Sequence, residues 1–165
     1  MNKKIIIAVP LIVVIATVAV YFFVTMTSSS SKLYVDPSSV SRDVGEVFTV
    51  HIDVSGVKDL FLWQFKLRWD PAILETLNVT EGSFLKRGGD TYFLQKINST
   101  DGSALASCTL LGDIFGVDGD GDVAAVQFRV KGSGQCNLEL FDTQLFDSYG
   151  YTISYSSING SFTTP

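Results

Sequence analysis

Two stretches of alternating apolar and polar residues constrain the fold of this chain more than any other feature. In residues 46–54 the apolar positions of the repeat are Phe48, Val50, Ile52 and Val54. In residues 61–69 they are Phe61, Trp63, Phe65, Leu67 and Trp69. A period of two is typical of a β-strand with one buried face, whereas a helix repeats every 3.6 residues. The alternation therefore predicts two strands that bury large side chains in a common core.

Further short apolar runs continue this pattern and are separated by turns rich in Gly and Asp. They span residues 73–79, 91–97, 104–111, 123–130, 136–141 and 151–163. The sequence shows no amphipathic helix of useful length between them. Many short strands at this spacing predict an all-β domain, either a sandwich or a barrel. We place this domain at residues 32–165, which is an ordinary length for one domain.

A long apolar segment precedes the predicted domain. Residues 5–26 carry no charge, and Lys3 and Lys4 stand directly before them. At about 1.5 Å per residue a helix of this length reaches roughly 33 Å, enough to cross a hydrocarbon core of about 30 Å. The two lysines predict a cytoplasmic N-terminus. We therefore predict one N-terminal transmembrane helix within residues 1–26 and a short Thr/Ser spacer at residues 27–31.

A cleaved signal peptide is the alternative for residues 1–26. Signal peptides have an apolar core of about 7–15 residues and a cleavage site with small residues. The nearest candidate site, Thr17 to Ala19, lies inside the apolar segment, and cleavage there would leave an apolar stub from Val20 to Met26. The sequence therefore favours a retained anchor. Either alternative exports the domain, to the outer surface of the cytoplasmic membrane or into the medium.

The charge balance of the exported part narrows the classes of partner. Only Lys3 and Lys4 of the 12 basic residues precede it, and it holds all 17 acidic residues, which gives a formal net charge of −7. A nucleic-acid-binding protein needs a basic surface that displaces counterions from phosphates. The composition therefore argues against nucleic acid as a partner.

The residues that support catalysis are sparse and scattered. His51, the only histidine, falls on the polar side of its predicted strand. Asp142 and Asp147 are the kind of carboxylate pair that a glycosidase uses, but nothing in the sequence places them in a pocket. The sequence shows no zinc-ligand spacing and no phosphate-binding glycine loop. We therefore predict a protein that is not an enzyme and has no cofactor.

Three aspartates in a Gly-rich run are the weak candidates for a metal site. Asp118, Asp120 and Asp122 alternate with Gly119 and Gly121, which resembles the start of a calcium loop. An EF-hand needs Gly at its sixth position and Glu at its twelfth. Counted from Asp118, the sixth and twelfth positions are Val123 and Arg129, so the run is not an EF-hand. The expected alternative is an acidic turn between two strands.

Two further sets of residues follow from the predicted export. Cys108 and Cys136 would meet an oxidising compartment, where a bridge between them would add roughly 3.5 kcal/mol in the chain-entropy model. Two separate buried thiols are the other interpretation.

Candidate N-glycosylation sites begin at three asparagines, Asn78, Asn98 and Asn159.

One motif resembles a known family. The run from Arg68 to Glu75, with its Trp-Asp-Pro centre, is similar to the aromatic-Asp-Pro corner of cohesin domains, the modules that capture dockerins in cellulosomes. Residues 44–50, 77–84, 121–130 and 138–162 also resemble the family's pattern, in the expected order. The resemblance implies a nine-stranded jelly-roll β-sandwich, related in fold to carbohydrate-binding modules. It also implies a protein partner, dockerin-like or another envelope protein, and a wider role in polysaccharide degradation.

The resemblance further implies where a partner binds. The dockerin-facing sheet of the family includes the strand that leads into the corner. By the alternation, its outward residues here are Leu62, Gln64, Lys66 and Arg68. Family members often carry small polar or acidic groups on this face, so the two cations suggest an acidic partner surface.

Two functions from other classes remain open. A carbohydrate-binding module predicts a row of exposed aromatic residues, whereas the four aromatic residues of residues 61–69 alternate inward. The tyrosines at 92, 149, 151 and 155 have no predicted position. A structural subunit of a surface filament is the third alternative. Pilin processing expects a glycine before the apolar segment, and Lys4 stands there instead.

Overall fold

The computed structural model describes residues 30–165, and the chain there is almost entirely β-structure. In chain order the strands are β1 (Ser31–Asp36), β2 (Ser39–Ser41), β3 (Val47–Arg68), β4 (Leu74–Glu81), β5 (Thr91–Asn98), β6 (Ser103–Leu110), β7 (Val117–Val130), β8 (Gln135–Asp147), β9 (Tyr155–Ile158) and β10 (Gly160–Thr163). One turn of 3₁₀ helix, Leu85–Arg87, lies between β4 and β5. The all-β prediction is therefore confirmed.

The two alternating stretches form one continuous strand rather than two. β3 bends near its middle, where Gly56 and Asp59 have positive φ angles of 63° and 54°. Glycine adopts such angles freely, and aspartate tolerates them better than most residues. The first half of β3 pairs with β1 and β7, and the second half pairs with β6 and β8. β3 therefore belongs to both layers of the sandwich.

The two layers follow from these pairings. The front layer has the order β9-β1-β3-β7-β4, and the back layer has the order β5-β6-β3-β8-β10-β2. Most neighbours are antiparallel, and the parallel pairs are β1 with β9 and β2 with β10. The predicted β-sandwich is confirmed, with ten strands in place of the expected nine.

The core lies between the layers and contains the residues that the alternation assigned to it, except Phe61. Phe61 is only partly buried, because the bend of β3 places Leu60 in the core instead. Phe48, on the front layer, stacks on Phe162 of the back layer with ring centroids 5.1 Å apart. Trp69 packs edge-on against Phe128 at 5.3 Å. Trp63, Phe65 and Leu67 are at most 1% exposed. Burial of such side chains stabilises the fold by roughly 2 kcal/mol or more each.

The corner after β3 forms as its sequence predicts. The Asp70 side chain accepts a hydrogen bond from the Ala72 N–H at 2.8 Å, and its carbonyl accepts one from the Leu74 N–H at 2.9 Å. Pro71 supplies the fixed φ angle of a turn. The Trp69 N–H donates to the Gly102 carbonyl, which closes this end of the core.

The acidic run does not form the turn that the sequence predicted. Asp118 to Asp122 were expected to form a turn, but they lie within β7. Val117 pairs with Leu60 and Gly119 pairs with Val57, with register shifts on either side. The bend of β3 needs a partner strand that follows it, and the glycines of β7 allow the irregular backbone that this requires.

The prediction of one last strand over residues 151–163 is also wrong. This region is divided into β9, which pairs with β1 in the front layer, and β10, which pairs with β8 in the back layer. Gly160 opens β10 where a Cβ atom would overlap the Val35 side chain. The chain therefore changes layers at this point.

The two ends of the sandwich differ in what they hold. At one end lie the start of β1, the bend of β3 and the loops after β6 and β8. The Ser31 hydroxyl there donates to the Gly56 carbonyl at 2.9 Å. At the other end lie both termini of β3 and the C-terminus, where the Thr164 N–H donates to the Gly134 carbonyl. We call the first the entry end, because the described chain begins there.

The predicted N-terminal helix lies outside the described residues. Within residues 30–165, no helix is long and apolar enough to cross a membrane. The predicted spacer at residues 27–31 overlaps the domain by one residue, because Ser31 is buried and opens β1.

Candidate protein-recognition face

The outer face of the back layer holds the four residues that the sequence analysis selected. Leu62, Gln64, Lys66 and Arg68 alternate with buried neighbours, so their side chains point away from the core. Cross-strand pairing sets Leu62 beside Thr109, Gln64 beside Ser107 and Lys66 beside Leu105. β5 and β8 extend this surface on either side.

Apolar side chains occupy much of this outer face. Tyr92 and Leu94, on β5, are 60% and 48% exposed. Leu62, Leu105 and Phe141 are half-buried beside them. Exposed apolar side chains interspersed with polar ones are typical of a protein-binding surface.

The outer face of the front layer is more polar. Thr49 and His51 lie on its β3 strand, and Gln127 and Arg129 lie on β7. All four are exposed, which confirms the predicted outward position of His51. Ile158, on the edge strand β9, is 43% exposed. The centre of the front face therefore offers less apolar surface than the back face.

The two predicted cations of the back face, Lys66 and Arg68, are paired within the protein. The Lys66 ammonium lies 2.7 Å from a carboxylate oxygen of Asp142, and the Arg68 guanidinium lies 3.5 Å from Glu139. Arg68 also stacks on Phe141, with 4.4 Å between the guanidinium carbon and the ring centroid. β8 thus supplies a neutralising carboxylate for Lys66 and for Arg68, whereas Lys96, exposed on β5 of the same face, forms no ion pair within the described residues.

Asp142 has a structural role in this arrangement. It has a positive φ angle of 48°, at the irregularity where Gln64 pairs with Gln144 but Lys66 pairs with Phe141. This bulge turns Asp142 toward Lys66. Asp147 instead accepts backbone hydrogen bonds from Tyr149 and Tyr151 in the loop after β8. The two carboxylates therefore hold separate local structures rather than forming a shared pocket.

The three candidate metal ligands are occupied by different donors. The Asp118 carboxylate accepts from the Asp59 N–H at 2.7 Å, and that of Asp120 accepts from the Gly56 N–H at 2.6 Å. Asp122 accepts from the Ser83 hydroxyl at 2.7 Å. Burial raises the pKa of Asp122, but these Ser83 hydrogen bonds outweigh it and leave the pKa below the ordinary value. In the described part of the chain, no three His, Cys, Asp or Glu side chains meet in a way that could hold a metal ion.

The two cysteines are free thiols, so of the two alternatives left open by the sequence this structure has separate thiols, with Cys108 buried and Cys136 partly buried. Cys108 is buried on β6 opposite Trp63, and Cys136 lies at the start of β8 opposite Phe162. These positions belong to different strands and different parts of the back layer. Burial, together with the nearby Glu81 carboxylate, raises the pKa of the Cys108 thiol to about 12. Cys108 is therefore an inert core residue, because the reactive form of cysteine is the thiolate.

The three candidate glycosylation asparagines are all exposed. Asn78 lies on β4, on the outer face of the front layer. The Asn98 amide donates to Asp101 at 2.6 Å, and the Asn159 oxygen accepts from the Leu140 N–H at 2.9 Å. A glycan is attached through the amide nitrogen, which is the donor of the hydrogen bond in Asn98, whereas the accepting oxygen of Asn159 is not the site of attachment. Use of these sites stays a prediction.

Several residues of the back face were missed by sequence reasoning. Tyr92, Leu94, Leu105 and Phe141 belong to strands that the sequence did identify. The burial alternation along β6 is as regular as that along β3. The same period-two argument could have found Leu105, whereas Phe141 depends on a bulge that the sequence does not show.

Comparison with known proteins identifies the family. The cohesin domain family matches residues 33–163 of this chain. No curated protein sequence matches it significantly.

Solved cohesin structures share the fold at low sequence identity. A non-cellulosomal cohesin from the archaeon Archaeoglobus fulgidus has a TM-score of 0.71 and 20% identity, with 83% of this chain and 92% of that chain covered. A type I cohesin–dockerin complex from Clostridium thermocellum has a TM-score of 0.72 and 12% identity, with 83% of this chain and 100% of that chain covered. The sixth cohesin of scaffoldin B from Acetivibrio cellulolyticus, solved with a dockerin, has a TM-score of 0.67 and 19% identity. The alignment covers 83% of this chain and 100% of that chain. On the family match and this shared fold, the chain belongs to the cohesin domain family.

Proposed function

We propose that this protein is a non-catalytic recognition module that binds a dockerin-like protein through the outer face of its back layer. The observation that carries the proposal is the family match over residues 33–163. Two of the solved structures with this fold are complexes of a cohesin with a dockerin. A binding role needs a suitable surface and no reacting groups, which agrees with the scattered hydrogen-bonded carboxylates of this domain.

The chemistry of the back face defines the kind of partner surface that fits it. Tyr92, Leu94 and Leu62 offer apolar contact area. Lys66 and Arg68 are each paired with an acid, so the face carries both signs of charge at short range. A partner that places an apolar helix face over the leucines and polar groups over the ion pairs meets both requirements. This modifies the simple acidic surface that the sequence suggested.

We further propose that residues 5–26 keep the domain close to the outer side of the cytoplasmic membrane. The support is their uncharged length and the two lysines before them. The described domain begins at Ser31, so only a few residues separate it from this segment. A dockerin-bearing protein bound here would be retained at the cell surface. If that protein degrades polysaccharide, the wider role implied by the resemblance follows.

The test compares matched substitutions on the two layers. The full chain is used to capture proteins from the host's envelope and secreted fractions, and is titrated with purified dockerins. Leu94→Lys changes the back face, and Ile158→Lys changes a residue of similar exposure in the front layer. We expect Leu94→Lys to weaken binding at least about tenfold, because a charge would be buried in the apolar part of the contact. Ile158→Lys should leave it unchanged.

A second pair tests the charges. Arg68 and Arg129 are each half-exposed and each lie 3.5 Å from a glutamate, in the back and front layers respectively. Arg68→Glu should weaken partner binding, whereas Arg129→Glu should not. If only the front-layer substitutions reduce binding, the proposed face is wrong. If the chain retains polysaccharide and no protein, the carbohydrate-binding alternative is favoured.

A further inference from the structure

Exposed apolar side chains are concentrated at the entry end of the sandwich. The loop after β6 and the loop after β8 meet there across an open cleft of about 320 Å³ lined by Ile114, Phe115 and Tyr149. Phe115, Tyr149 and Tyr151 are 73%, 71% and 71% exposed, the highest values among the large apolar residues of the described chain. Leu111 and Ile114 are also exposed beside them. We call these five residues the apolar tip.

The apolar tip is held in place by the bend of β3. The Asp59 carboxylate accepts from the Gly116 N–H in one loop and from the Ser148 hydroxyl and N–H in the other. Gly116 packs so closely on Asp59 that a Cβ atom would overlap the Asp59 carbonyl group. One side chain thus fixes both loops, and the aromatic rings are presented by an ordered scaffold.

The chain enters the domain at this same end. Ser31 opens β1 and is hydrogen-bonded to Gly56, three residues from Asp59. Before Ser31, only residues 27–30 separate the domain from the uncharged segment that ends at Met26. Four residues span at most about 14 Å even when fully extended. A membrane that holds residues 5–26 is therefore within a short distance of the apolar tip.

We propose that the apolar tip inserts into the interfacial region of the membrane and sets the orientation of the domain on it. The inference rests on the anchor of the proposed function. Tyrosine and phenylalanine rings with aliphatic neighbours are suited to the headgroup level, where one end of a side chain is apolar and the other is wet. The C-terminus lies at the opposite end, and the outer back face stays open to solvent for its partner.

The charges near the apolar tip define the lipid chemistry. Asp113 lies in the cleft itself, and Asp90 and Lys58 are exposed at this end. There is no excess of cations in this region of the described structure to attract anionic headgroups. The contact is therefore apolar, prefers zwitterionic lipid and is insensitive to salt, since screening acts on charges.

A second copy and a glycan are less well supported as occupants. A glycan site needs polar groups that bind hydroxyls beside its aromatic platform. The cleft lining includes Asp113 and Ser148, and the Ser148 hydroxyl already donates to Asp59. A second copy would have to approach an end that the short connection to residues 5–26 holds against the bilayer. The length of the connecting chain favours lipid.

The experiment places a fluorescent reporter at each end of the full chain in phosphatidylcholine nanodiscs. Phe115→Trp reports on the apolar tip, and Val44→Trp reports on the opposite end, where Val44 is 52% exposed. The native Trp63 and Trp69 are buried and give a constant background. Discs with brominated acyl chains quench tryptophan that lies in the bilayer. We expect Phe115→Trp to lose most of its added emission at low and at high salt, and Val44→Trp to lose none.

The outcomes separate this inference from the anchor. If both variants remain with the discs and neither is quenched, the lipid contact is wrong while the anchor stands. If neither variant remains with the discs, the anchor is wrong and the lipid contact fails with it. If the emission of Phe115→Trp shifts to the blue only when oligosaccharide is added, the apolar tip binds a glycan and not lipid. If the shift requires a second protein copy in the disc, the apolar tip binds another copy of the chain and not lipid.

Discussion

At the scale of single residues, Trp63 shows how the alternation of β3 becomes stability. Its ring is 1% exposed, stacks on Phe65 at 5.5 Å and contacts Phe93 of β5 at 6.1 Å. We expect Trp63→Ala to lower the free energy of unfolding by roughly 3–5 kcal/mol, because it leaves a cavity in a packed core. Gln64→Ala, on the outer face, should cost less than about 1 kcal/mol. Chemical denaturation measures both values. Equal costs would mean that the register of β3 is shifted by one residue.

At the scale of elements, Asp59 joins the bend of β3 to the two loops of the entry end. Burial raises the pKa of its carboxyl, but hydrogen bonds from Ser148 and Gly116 outweigh it and hold the pKa below the ordinary value. A group with a lowered pKa stabilises the fold above its unfolded pKa and loses this contribution as the pH falls toward the folded value. The contribution is therefore complete at pH 7 and is lost below an ordinary value of 3.8.

Asp59→Asn tests this role of the carboxylate. The amide nitrogen would face a donor, so we expect a loss of about 2 kcal/mol at pH 7, the size typical of hydrogen bonds to a charged group. The difference from the parent should shrink as the pH falls below 3.8. Asp53 is the matched control, because burial and then Asp36 raise its pKa. Asp53→Asn should not destabilise the protein at pH 7. A constant effect of Asp59→Asn from pH 7 to pH 2, in denaturant titrations at each pH, would contradict the assignment.

At the scale of the whole molecule, whether residues 1–26 are retained or cleaved determines whether the entry end is held at the membrane. We expect the segment to stay attached, because it is longer than a signal-peptide core and has no good cleavage site. Protease added to intact cells should degrade the domain. N-terminal sequencing of the membrane-bound protein should recover Met1 or Asn2. A soluble form that begins near Val20 would contradict the anchor and leave the domain secreted.

The sequence by itself determined which regions are extended and, for most of their residues, which side is buried, although not where each strand begins and ends. Phe48, Val50 and Ile52 face inward, as do Trp63, Phe65 and Leu67, because alternation is a local property of an extended chain. The corner at Asp70 and Pro71 was predictable for the same reason: its hydrogen bonds join residues that are neighbours in sequence. The cohesin resemblance then supplied the two-layer arrangement.

Only the tertiary structure decided which distant residues meet. Lys66 is neutralised by Asp142 because of a bulge in β8, and Asp118 and Asp120 bind the backbone of β3 because β7 follows its bend. Cys108 and Cys136 lie apart because β6 and β8 flank β3 on opposite sides, and Cys136 lies beyond the end of β3 where Arg68 pairs with Glu139. The apolar tip likewise joins two loops that are more than thirty residues apart in sequence. Such contacts depend on strand order and register across the whole domain, and no short stretch of sequence specifies them.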